Sequence, residues 1–67
     1  DQYTVYLYFY DKSDLLIKTE RTEVNGEDRK KFNKIFKYDN SGNLAEVAEQ
    51  NEKGEQLFII KYIYENY

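Results

Sequence analysis

Hydrophobic residues in this chain alternate with polar ones or run in short blocks, and polar turn residues separate the blocks. No segment keeps the 3.6-residue period of an amphipathic helix over three turns; "NLAEVAEQ", residues 43–50, is the one stretch compatible with a helix, and we interpret it as strand. Tyr, Phe, Ile and Val are abundant and Pro is absent, which favours strands throughout. The predicted strands lie near residues 3–10, 15–23, 28–38, 44–51 and 55–65.

The residues between these strands predict one kind of tight turn. Three triplets, "VNG", "NSG" and "EKG", end at Gly26, Gly42 and Gly54. A three-residue hairpin loop is a type I turn followed by a residue at positive φ, which Gly adopts without steric cost. In "DKSDL" the corresponding residue is Asp14, and Asp tolerates the left-handed region better than most residues. We therefore predict a positive φ at all four positions.

A second interpretation of "VNGE" is a two-residue hairpin loop at Asn25-Gly26. With three-residue loops throughout, even-numbered strand residues share one face of the sheet, and a two-residue loop would move all later residues to the other face. We expect the three-residue loop, because it keeps Leu7, Ile35 and Ile63 on one face.

The turns repeat with a period of 28 residues. "YDKSDLL", residues 10–16, matches "YDNSGNL", residues 38–44, and "GE" at residues 26–27 recurs at residues 54–55. A period of 20 to 50 residues is typical of stacked supersecondary units. We predict a single domain over residues 1–67, folded as one antiparallel meander of about five strands made of two hairpin repeats, and either self-standing or part of a longer repeat array.

The segment "YDNSGNL", followed by a strand and "NEKGE", resembles the YD repeats, also called RHS repeats, of bacterial secreted and surface proteins. Those proteins string such hairpins into long spiralling antiparallel sheets that can form a shell around a cargo. The resemblance implies a scaffolding or partner-binding role, a secreted or cell-surface location and no catalytic residues in the repeat itself.

On the expected register, even-numbered strand positions form an aromatic face and odd-numbered positions an aliphatic one. Both faces are then apolar near the "YD" turns, and a five-strand sheet leaves no residues to cover either face. Three outcomes remain open: association with copies of the chain, which we favour, inclusion in a longer array, or curling into a small barrel-like sheet. The edge segments "YTVYLYFY" and "LFIIKYIY" also invite pairing with another strand.

The aromatic face supplies the candidate partner-binding residues. Tyr offers a large contact area and a hydroxyl, which suits protein interfaces and stacking on sugars. The same rings also fit a purely structural role as cross-strand pairs. The candidates are Tyr6, Tyr8, Tyr10, Phe36, Tyr38, Tyr62 and Tyr64.

Composition excludes several functions. The chain has 67 residues, no Cys and no His, so disulfides, zinc sites and the usual nucleophilic or acid–base catalysts are absent. A net charge of -3 argues against binding to nucleic acid or an anionic membrane. "DNSGN" has too few carboxylates for a calcium loop. We expect no enzyme, metal or cofactor, and predict a non-catalytic module that self-associates or binds neighbouring repeats or another protein, with carbohydrate binding as the alternative.

Overall fold

The computed structural model describes residues 1–64 as one open, five-stranded antiparallel sheet without a helix. The strands pair in chain order, so the predicted meander is confirmed, and β1 and β5 are its edges. Because these edges do not pair, the barrel-like alternative is wrong. The last strand ends earlier than predicted, and residue 65 lies outside the described residues. The strands are β1 (Gln2–Tyr10), β2 (Leu16–Asn25), β3 (Asp28–Tyr38), β4 (Leu44–Asn51) and β5 (Gln56–Lys61).

Three of the four turns share one hydrogen-bonding pattern. In the turn between β3 and β4, the Gly42 N–H donates to the Asp39 carbonyl (3.1 Å), and the Asp39 carboxylate accepts from the backbone N–H groups of Ser41 and Asn43 (2.9 Å each). Asp11 and Asn51 open the other two turns in the same way. The residues that close the three turns have φ of 63° at Asp14, 85° at Gly42 and 84° at Gly54, as predicted.

The turn between β2 and β3 is different: the predicted three-residue loop is wrong, and the alternative loop at Asn25-Gly26 does not form either. Asn25 pairs with Asp28, so the loop consists of Gly26 and Glu27 alone. Gly26 has the predicted positive φ, 64°. Since Gly26 is the first of the two loop residues and Glu27 does not have a positive φ, the φ values match a type II′ turn, which requires Gly at that position.

The other three turns are each followed by a bulge, which changes the faces of the sheet. Tyr10 pairs with Leu16 but Phe9 pairs with Lys18, so Ile17 is an extra residue. Ala45 and Leu57 are extra in the same way. Each bulge reverses the parity of the pairs beyond it, so the prediction that even-numbered residues share one face is wrong. Even residues of β1, β3 and β5 share a face with odd residues of β2 and β4; we call this the tyrosine face and the other the reverse face.

The hairpins β1–β2 and β3–β4 have the same register at an offset of 28 residues. Phe9 pairs with Lys18, and Lys37 pairs with Glu46. The offset does not extend to the last pair of strands. Lys18 pairs with Ile35, yet Glu46 pairs with Lys61, two residues short of Ile63. The two-residue loop at Gly26 and the bulged turn at Gly54 account for this slip.

The centre of the sheet is small. The buried residues among those described are three consecutive members of β4: Val47, Ala48 and Glu49, exposed by 6%, 7% and 9%. Val47 and Ala48 point to opposite faces, and larger neighbours on β3 and β5 cover them. Every residue of β1 and β5 is exposed. The exposed large apolar side chains of residues 1–64 therefore lie mainly at the edges of the sheet.

Candidate interaction surface

Strand β1 is an exposed and uncharged edge. All nine of its residues are exposed, and its large side chains from Tyr3 to Tyr10 keep 40% to 58% of their surface accessible. The segment contains no charged residue, Gly or Pro, and it pairs with β2 without irregularity from Gln2 to Phe9. It thus lacks the features by which edge strands usually resist pairing.

The outer backbone groups of β1 are free to bind another strand. Gly26 N–H donates to the Asp1 carbonyl (3.0 Å), and hydrogen bonds in an antiparallel ladder alternate between neighbours. Odd-numbered residues such as Val5 and Leu7 therefore bond to β2. The N–H and C=O groups of Thr4, Tyr6 and Tyr8 point away from the sheet.

The opposite edge, β5, is also apolar but shorter. It has six residues, and Leu57 to Ile60 are all exposed. Lys61 places a charge within the strand. Tyr62 N–H still donates to the Ala45 carbonyl (2.9 Å), so the backbone stays beside β4 past the end of β5. This edge is the weaker template, because a Lys on an edge strand opposes pairing.

The predicted partner-binding residues of the five strands lie on the tyrosine face but do not form one cluster. Tyr6 and Tyr8 stack on β1, with ring centroids 6.4 Å apart and an interplanar angle of 18°. Phe36 and Tyr38 are partly buried on β3. The remaining tyrosines are exposed at the two edges, separated by the width of the sheet: Tyr10 on β1, and Tyr62 and Tyr64 after β5.

Two of these tyrosines have a structural role that sequence reasoning missed. The Tyr38 hydroxyl donates to the Leu16 carbonyl (2.7 Å), and the Tyr64 hydroxyl donates to the Leu44 carbonyl (2.7 Å). Each leucine precedes a bulge residue, where the ladder leaves a carbonyl without its regular partner. For Tyr38 the sequence signal was the "YD" turn, which does not by itself reveal the acceptor, and Tyr64 stands outside that motif.

Residues at equivalent positions of β2 and β4 form an ion pair across β3. Arg21 Nη1 donates to Glu49 Oε1 (3.3 Å), and the guanidinium lies 4.5 Å from the centroid of the Phe32 ring on the intervening strand. Arg21 Nε also lies 3.0 Å from Glu23 Oε2. The largely buried carboxylate of Glu49 is thus paired over an aromatic ring, which stabilises the polar end of the tyrosine face.

The reverse face is charged along its middle, so the prediction that both faces are apolar near the "YD" turns is wrong. Glu20 contacts Lys18 (3.3 Å) and Lys31 (3.7 Å), and Lys37 contacts Glu46 (3.6 Å). Antiparallel sheets commonly keep one face in water. The tyrosine face, which carries apolar residues on all five strands near the "YD" turns, is therefore the face with more surface to cover.

Residues 1–64 contain no group of three or more acidic side chains placed to hold a metal ion. None of these residues forms a helix suited to crossing a membrane. Comparison of the chain with protein-family models, with curated proteins and with solved structures gives no match.

Proposed function

We propose that this chain is a non-catalytic structural module of a bacterial secreted or cell-surface protein, and that it assembles by strand addition at β1 and by covering its tyrosine face. The exposure of every residue of β1 carries the proposal. The resemblance of its "YD" turns to YD repeats supports a place in a bacterial secreted or cell-surface protein. Its partners are further copies of the chain, neighbouring repeats of a longer chain, or another protein.

The distribution of apolar surface supports assembly. Edge strands are usually short or charged, but here β1 is uncharged while β2 and β3 carry most of the ion pairs. Full burial of a large apolar side chain contributes about 1.5–3 kcal/mol. Since the large side chains of β1 are about half exposed, covering each contributes about 1 kcal/mol. A strand beside β1 also satisfies its free backbone groups.

Sedimentation equilibrium at micromolar concentration tests this proposal. We expect the wild-type chain to form dimers or larger species, and Val5→Lys to weaken association at least tenfold, because it places a charge on the edge strand. Asn40→Lys is the matched control: it adds a positive charge in the exposed turn between β3 and β4 and should associate like the wild type. A monodisperse 8.1 kDa wild-type monomer contradicts self-assembly.

Carbohydrate binding is the second candidate, favoured by the stacked and exposed rings of Tyr6 and Tyr8. Flat aromatic surfaces of this kind suit stacking on sugar rings. A soluble β-1,4-linked glucose oligosaccharide should then quench tyrosine fluorescence of the wild type, and Tyr8→Leu should abolish the quenching. Unchanged fluorescence across millimolar sugar contradicts this candidate.

A further inference from the structure

Strands β1 and β3 are equivalent at the 28-residue offset, but β3 has a neighbour that β1 lacks. The even-numbered residues of β3 form the hydrogen-bonded pairs with β2, as Asn25 and Asp28 do beside the two-residue loop. The corresponding residues of β1, Thr4, Tyr6 and Tyr8, have the free backbone groups. The outer edge of β1 therefore has the hydrogen-bonding pattern that β3 uses to bind a strand of the β2 kind.

The tyrosine hydroxyls specify that neighbour further. Extending the registers of β2–β3 and β4–β5 places Leu15 opposite Tyr38 and Asn43 opposite Tyr64. Each hydroxyl bonds the carbonyl of the next residue, Leu16 or Leu44. Two separate strand pairs thus place a tyrosine beside the carbonyl that precedes a bulge.

Tyr10 stands at the equivalent position of β1. It matches Tyr38 at the offset of 28 residues, and 58% of its surface is exposed. Its hydroxyl makes no hydrogen bond within residues 1–64. Tyr10 is therefore placed to bond a carbonyl that a strand beside β1 would supply.

We propose that the partner of β1 is an antiparallel strand of the β2 and β4 kind, which follows an Asp-x-x-Gly-x-Leu or similar turn and offers the leucine carbonyl to the Tyr10 hydroxyl. This inference rests on the proposed function and names the partner strand at the same edge. In one copy of the chain, β2 and β4 already have neighbours on both sides, so the partner comes from an adjoining hairpin unit.

Other strands of a second copy fit this position less well. In an antiparallel pair of two β1 strands centred on Tyr6, Tyr10 lies near Gln2 and Tyr3 of the partner, whose carbonyls serve the new ladder or already bond to β2. A β5 strand from a second copy reaches β1 antiparallel only if the two sheets are turned over relative to each other. The tyrosine face then continues into the charged reverse face, which leaves the two apolar regions on opposite sides.

The test compares Tyr→Phe variants in two chains. In the 67-residue chain, Tyr38→Phe should lower the folding equilibrium constant about fivefold, the effect of losing one hydrogen bond. Tyr10→Phe should change it less than twofold, when measured by urea unfolding at a concentration where the chain is monomeric. Equal losses for both variants overturn the proposal, because Tyr10 would then already have a partner.

The second chain carries an additional copy of residues 1–28 before Asp1, which places a β2-type strand next to β1. Tyr10→Phe in the original segment should now lower the folding equilibrium constant about fivefold. The same change in the added copy, which forms the new edge, should lower it less than twofold. The amides of Tyr6 and Tyr8 in the original segment should become protected from hydrogen exchange. If these amides remain unprotected, the proposed partner strand is wrong. If they become protected but Tyr10→Phe has no effect, the proposed register is wrong.

This design separates the inference from the proposed function. If the 67-residue chain does not self-associate but the extended chain shows the hydroxyl effect, the partner strand is right and self-assembly is wrong. If the chain associates and the extended chain shows no such effect, the assembly stands and the named partner is wrong.

Discussion

The hairpins β1–β2 and β3–β4 have the same turn, the same bulge and the same register, yet the second hairpin is more buried than the first. β4 contains the buried residues of the sheet, whereas β1 is exposed along its whole length. The backbone geometry is set locally by Asp11 and Asp39, whose carboxylates each hold two N–H groups of their turn. Burial is instead set by whether a strand has neighbours on both sides. The apolar composition of β1 is what the proposed assembly at this edge would cover.

The largest expected difference between the two hairpins concerns equivalent aromatic residues. Phe36 is partly buried between β2 and β4, so Phe36→Ala should cost about 2–3 kcal/mol of unfolding free energy, less than the value for a fully buried ring. Tyr8→Ala, on the open edge, should cost less than about 1 kcal/mol in the monomer. Urea unfolding at low protein concentration measures both. Equal costs would show that β1 is already covered.

The next largest effect concerns the ion pair between Arg21 and Glu49, which occupy equivalent positions of β2 and β4 but carry opposite charges. Arg21→Met should cost about 2 kcal/mol, because it leaves the largely buried Glu49 carboxylate without its partner. The double variant Arg21→Met with Glu49→Leu should recover most of this loss. The control Glu23→Gln, at the exposed partner of Arg21, should cost less than about 0.5 kcal/mol. Additive losses in the double variant contradict coupling across β3.

The closing residue of the turn gives a smaller effect. Gly42→Val should cost about 1–2 kcal/mol, because a β-branched residue is forced to a positive φ. A Cβ at this position meets no atom within 4 Å, so the cost arises from the backbone and not from a clash. Gly42→Asp, which copies the residue of the first turn, is the control and should cost less than Gly42→Val. Equal melting temperatures for the wild type and Gly42→Val contradict this interpretation.

The smallest effect is a gain. Asp14 occupies the same left-handed conformation as Gly42, and Gly adopts it without steric cost. Asp14→Gly should therefore stabilise the chain by about 0.5–1 kcal/mol. Thermal unfolding followed by circular dichroism checks this, and no rise in melting temperature would contradict a conformational cost at Asp14.

The strands and turns could be predicted because Gly, Asp and Asn mark turn positions by their own conformational preferences. The faces could not, because Ile17, Ala45 and Leu57 are inserted as bulges and have no side-chain property that announces an extra residue. The loop at Gly26 was predicted with three residues but has two, Gly26 and Glu27, because its sequence fits more than one hairpin.

The candidate site was predicted in part. The exposed tyrosines of β1 follow from alternation, but the bonds of Tyr38 and Tyr64 to leucine carbonyls depend on those bulges. The pairing of Arg21 with Glu49 spans an entire strand, which the sequence pattern of neighbouring strands does not reveal.

Residue-resolved hydrogen exchange across a range of protein concentrations tests assembly at β1 most directly. Amides of Val5 and Leu7 bond to β2 and should be protected at every concentration. Amides of Thr4, Tyr6 and Tyr8 point outward and should exchange rapidly in the dilute monomer, then become protected as the chain associates. Protection that stays absent from these three amides in the associated protein would contradict strand addition at β1.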